Sequence, residues 1–124
     1  MDDLAALETR LQAVLDPYRD RLEAFEIYGV PMLRRPGAKA HDWFAGVQRI
    51  DGAVKFNLLP MHAHPDLLVG ISPALRKRKT GASVFKFGEL DGAVLDGALL
   101  ADLEALVGRA YAVYDGATES IEVT

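Results

Sequence analysis

Leu4, Leu7, Leu11, Val14 and Leu15 recur at the spacing that lines one stripe of a helix, and Asp2 and Asp3 sit at its start, where the helix dipole favours acids. Asp16-Pro17 ends or bends that helix, because the residue before a proline avoids helical angles. Residues 22–33 read as a first strand interrupted by Gly29 and Pro31, and a loop follows over 34–42 with Pro36-Gly37. Residues 43–50 and 53–59 flank Asp51-Gly52, a pair that supplies the positive φ angles of a two-residue hairpin turn. A short helix is predicted around 65–70. Ser72 then has the N-cap residue type, with Pro73 at the first helical position. Residues 82–87 alternate as a fourth strand. A long helix is predicted from about 96 to 114, with Leu99, Leu103, Leu106, Val107, Ala110 and Tyr114 on one stripe. Asp115-Gly116 supplies its stop signal, and the tail is expected to be mobile or a short edge strand.

The order α-β-β-β-α-β-α implies an α+β domain of two layers, an antiparallel sheet of four to five strands with helices on one face. Residues 1–116 form that single domain and 117–124 its tail. The hairpin turn sets the register: Val47 opposes Phe56, Ala45 opposes Leu58, Gln48 opposes Lys55, and Gly46 opposes Asn57. Directly opposed residues share a face. Ala45, Val47, Val54, Phe56 and Leu58 therefore form the helix-covered side, which Phe25, Ile27, Phe85 and Phe87 are expected to join. The open face carries Glu26, Tyr28, Phe44, Gln48, Lys55, Asn57, Leu59 and Lys86. That face is the expected place for a ligand, held by Tyr28, Gln48, Lys55, Asn57 and Lys86.

Composition narrows the function classes. The chain has 124 residues, half of them apolar, enough for one core. It has no cysteine, which excludes disulfides and thiolate chemistry and fits a reducing cytoplasm. No apolar run is long enough to span a membrane, and the acidic start lacks the layout of a signal peptide. The net charge of −4 argues against a nucleic-acid partner. Its distribution says more. Residues 1–26 carry seven acids and three bases, 27–88 three acids and ten bases, and 89–124 eight acids and one base. A basic centre between acidic flanks attracts an anion or simply complements its neighbours within the domain.

Glu26-Ile27-Tyr28-Gly29-Val30-Pro31 resembles the strand motif of the YdhG-like family, a family of unknown function. Leu59-Pro60-Met61, Pro65-Asp66-Leu67-Leu68 and Ile71-Ser72-Pro73 resemble its central segment, and residues 77–81 with Phe85-Lys86-Phe87 its basic turn and last strand. The resemblance spans roughly residues 4–114. It implies the same two-layer fold with a curved antiparallel sheet. Because some members look like frataxin analogues, it also implies iron handling as an alternative function.

Candidate chemistry is sparse. His62-Ala63-His64 with Asp66 has metal-ligand residue types, but Pro60 and Pro65 make the segment a turn, and solvated histidines are the expectation. Asp2, Asp3, Glu8, Glu89, Asp91 and Asp96 offer oxygen ligands for iron or, more simply, a solvated acidic face. In the basic turn, Lys77, Lys79, Thr80, Gly81 and Ser83 have the groups to hold an anion, although cations at a helix end also explain the block. Neither Ser72 nor Ser83 lies in a Gly-x-Ser-x-Gly elbow. Trp43, Tyr28 and Tyr111 read as core or interface residues. The expectation is a non-enzymatic binding domain without metal or cofactor, taking a small polar or anionic ligand or a partner. Phe44, Leu59 and an open sheet edge add the expectation of a homodimer.

Overall fold

The structure, a computed structural model, describes residues 3–27, 29–37, 42–88 and 98–123. The first helix, α1 (Asp3–Leu15), buries the predicted stripe of Leu4, Leu7, Leu11, Val14 and Leu15. At Asp16-Pro17 the chain tightens into a 3-10 turn, Asp16–Arg21. Arg19 holds that turn to the helix, its Nε donating to Asp16 Oδ1 at 2.7 Å and its Nη2 to Gln12 Oε1 at 2.6 Å.

Six strands follow: β1 (Glu23–Ile27), β2 (Val30–Arg34), β3 (Trp43–Ile50), β4 (Ala53–Leu58), β5 (Lys79–Gly81) and β6 (Val84–Gly88). They form one antiparallel sheet in the order β1-β2-β3-β4-β6-β5. Two strands more than the lower expectation arise from two hairpins. Residues 22–33, expected as one interrupted strand, fold back instead: Ile27 pairs with Val30, and Gly29 takes a φ of 78° that favours glycine. The basic block likewise ends in β5, paired with β6. The Asp51-Gly52 turn forms as predicted, with Ile50 paired to Ala53 and Gly52 at φ 78°.

Between β4 and β5 lie α2 (Pro60–Ala63), a 3-10 turn (Pro65–Leu68) and α3 (Pro73–Arg76). Ser72 caps α3, its Oγ accepting from Leu75 N at 3.2 Å, while its own N–H donates to Asp102 Oδ2 at 2.7 Å. The last helix, α4 (Ala98–Val123), runs through Asp115-Gly116 and on to Val123. The expected stop and tail are therefore replaced by helix. A glycine inside a helix costs only about 1 kcal/mol, which a helix anchored by a buried stripe tolerates. That stripe is the predicted one: Leu99, Leu103, Leu106, Val107, Ala110 and Tyr114 are all buried.

The core lies between α1, α4 and the sheet, where Val47, Val54, Phe56, Leu58, Phe85 and Phe87 face the helices. Among the described residues, no helix is long and apolar enough to cross a membrane.

Register corrects four expected positions. Leu33 pairs with Ala45 and Arg34 with Trp43, so Phe44 is the extra residue of a β-bulge. The bulge turns Phe44 off the open face and into the core, where it is fully buried. Phe25 pairs with Met32, and carrying the Leu33–Ala45 pairing one residue back sets Met32 across from Gly46. Phe25 and Ile27 therefore lie on the face of Asn57 and Lys55, outside the core, and Glu26 lies on the other face. The reason is the same bulge: it sets Leu33 rather than Met32 across from Ala45, so Leu33 joins the core and Met32, with its partner Phe25, faces the other way.

Candidate functional site

The predicted open-face row is present. Lys55 on β4 lies between Gln48 on β3 and Lys86 on β6, directly opposed to both, and Asn57 and Gly46 form the next row. Such neighbours stand about 5 Å apart at Cβ, so two ammonium-bearing chains share one small patch. Lys55 is half-buried and Lys86 exposed. The ion pairs among the described residues are Arg19–Asp16, Arg34–Glu23 and Arg35–Asp42; neither lysine has one. Asn57 Nδ2 makes only a long contact, 3.4 Å, to Gly46 O. Beside the row, Lys86 N donates to Arg78 O at 2.8 Å, and the Arg78 guanidinium itself donates to Ala74 O at 2.6 Å. Toward the β1–β2 hairpin the same face turns apolar with Phe25, which carries Arg34 over its ring at 4.3 Å.

The basic turn, expected as a separate anion candidate, does not share a face with this row. Lys79 pairs with the core-facing Phe85, and Ser83 O accepts from the N–H of core-facing Leu58 at 2.7 Å, so both belong to the opposite face from Lys55. Tyr28 lies outside the described residues, as do Asp2, Glu89, Asp91 and Asp96. His62 and His64 are exposed on and just after α2, and among the described residues no group of three or more His, Cys, Asp or Glu is placed to hold a metal.

A second constellation joins residues far apart in sequence. The Tyr114 hydroxyl donates to Asp42 O at 2.7 Å and accepts from Arg35 N at 3.0 Å. Arg35 closes the clasp: its guanidinium pairs with the Asp42 carboxylate, donates to Tyr114 O at 3.0 Å, and lies 4.5 Å above the Tyr114 ring. Phe44, Tyr18 and Tyr111 pack behind it, with Phe44 at 5.4 Å from both Tyr111 and Tyr114. No motif spacing announces this clasp. The only trace in the sequence is the place of Tyr114 at the end of an apolar stripe, a tyrosine whose hydroxyl must find partners once buried.

Burial raises the Tyr114 hydroxyl above its ordinary value of 10.0; the Arg35 N–H and guanidinium pull it back and Asp42 adds to the rise. The folded state thus holds this proton more tightly than the unfolded chain. Its contribution to stability is complete below pH 10.0 and is lost as pH climbs through the raised value. Tyr18 moves the same way, through burial and then Glu104. Tyr114→Phe is expected to cost about 1–3 kcal/mol at neutral pH, by leaving the two backbone groups without their partner. It should also flatten the alkaline fall in stability, leaving the part due to Tyr18. Urea midpoints measured from neutral to alkaline pH check both; an unchanged alkaline slope would dismiss Tyr114 as its source.

No family model, curated protein or solved structure matches this chain.

Proposed function

We propose that this chain is a non-enzymatic binding domain of the YdhG-like kind, which takes an anion on its open sheet face at Gln48, Lys55, Asn57 and Lys86. One observation carries the reading. Lys55 and Lys86 face each other across β4 and β6 without a carboxylate among the described residues to offset them. Like charges directly opposed on a sheet destabilise it. A bound carboxylate or phosphate relieves that repulsion and gains charge-assisted hydrogen bonds from both ammonium groups. Gln48 and Asn57 beside them supply neutral donors to orient it. The net negative charge of the chain suits a local anion site better than an extended polyanion surface.

The test is Lys86→Gln, melted with and without citrate at constant ionic strength. Without citrate the variant is expected to be as stable as the parent, or more stable by about 0.2–1 kcal/mol, because a like-charge pair has been removed. With citrate only the parent should gain stability, since a ligand of the folded state stabilises according to its concentration over its Kd. Equal citrate shifts in both proteins would dismiss the site.

A further inference from the structure

At the opposite end of β3 and β4 from the Asp51-Gly52 turn, a cleft of about 270 Å³ opens between α2, α4 and the start of β3. Its walls are largely apolar, from Leu59, Pro60, Ala63 and Val113. Trp43, Asp42 and His64 line it as well, and the Trp43 indole N–H, Asp42 Oδ1 and the His64 ring have no hydrogen-bond partner among the described residues. Arg35 and Tyr114 also line it but are committed to the clasp with Asp42.

We propose that this cleft binds a small neutral heteroaromatic ring that carries a hydrogen-bond donor beside an acceptor, of the nucleobase kind. The site is separate from the anion face and does not rest on it. Four features define the ligand. The guanidinium of Arg35 is already met by Asp42, so the cleft offers no net positive charge and does not select an anion. Asp42 Oδ1 can only accept, and the indole N–H can only donate, so a matching ligand presents both functions. Apolar walls beside an indole favour a flat ring that stacks. The volume lies just under the roughly 300 Å³ at which drug-sized sites begin, which limits the occupant to a small ring system. An apolar cleft with a few convergent polar groups is the usual form of a small-molecule site.

Trp43 is the only tryptophan in the chain, so its emission reports on this cleft directly. Titration with uracil is expected to change that emission saturably. 1,3-Dimethyluracil keeps the ring and loses both N–H donors. It should bind at least about tenfold more weakly, the size of one lost hydrogen bond to a charged group. Ala63→Leu adds bulk to the cleft wall from an exposed position and should abolish saturation in a protein whose circular dichroism and melt match the parent. If that variant does not fold, amide shifts of the parent at Trp43, Ala63 and His64 locate the ligand instead. Absence of a saturable change with uracil overturns the proposal. So does equal binding of the dimethylated ring, tighter binding of benzoate, a folded Ala63→Leu variant that titrates like the parent, or amide shifts away from the cleft.

Discussion

Phe44→Ala is expected to lower stability by about 3–5 kcal/mol, the cost of emptying a fully buried phenylalanine site. The ring sits at the meeting point of the two layers. It contacts Tyr18 and Tyr111 edge-on, with centroids at 5.7 and 5.4 Å, and Tyr114 at 5.4 Å. Removing it leaves a hole behind the Arg35–Asp42–Tyr114 clasp. Strict strand alternation from the Asp51-Gly52 turn puts Phe44 on the open face, where truncation of an exposed side chain changes stability by no more than about 0.5 kcal/mol. A urea-unfolding midpoint therefore distinguishes the bulge from unbroken alternation, and a near-neutral result would remove the bulge.

A second large effect is expected one row away. Gly46→Ala should cost about 1–3 kcal/mol, because a methyl group there runs into the Pro31 carbonyl oxygen and the Met32 sulfur. The flexible Met32 side chain can swing aside, but the carbonyl is part of the β2 backbone and moves only with the strand. Gly88→Ala is the matched control on the same sheet, since a Cβ at Gly88 meets no heavy atom within 4 Å. The close approach of β2 to β3 is shown by a loss at Gly46 with little change at Gly88. Equal melting temperatures for both variants would contradict it.

These two positions also mark where the sequence stops being readable. The Asp51-Gly52 turn, the two helical stripes and the Ser72 cap are local signals with short-range causes, and all of them hold in the structure. From that one turn the register of β3 on β4 follows, and with it the Gln48–Lys55 pair. The faces of β1 do not follow. By alternation Phe25 and Ile27 read as core residues, but their face is set through β2, whose pairing with β3 shifts by one residue between Leu33 and Arg34. Phe44 is illegible for the same reason: a bulge shifts alternation by one residue, and nothing in Trp43-Phe44-Ala45 announces it. Losing Phe44 from the open face also removes one of the two apolar side chains behind the expected homodimer. The candidate site divides in the same way. Lys55 and Lys86 were placed by periodicity, whereas the clasp and its cleft join Arg35 and Asp42 to a helix more than seventy residues away.

The most direct measurement of the central claim is an amide chemical-shift titration of the full chain with citrate at constant ionic strength. Saturable shifts are expected at Gln48, Lys55, Asn57 and Lys86, and they should vanish in the Lys55→Gln/Lys86→Gln double variant. Shifts confined to residues 77–83, or the same response in the double variant, would contradict an anion site on the open sheet face.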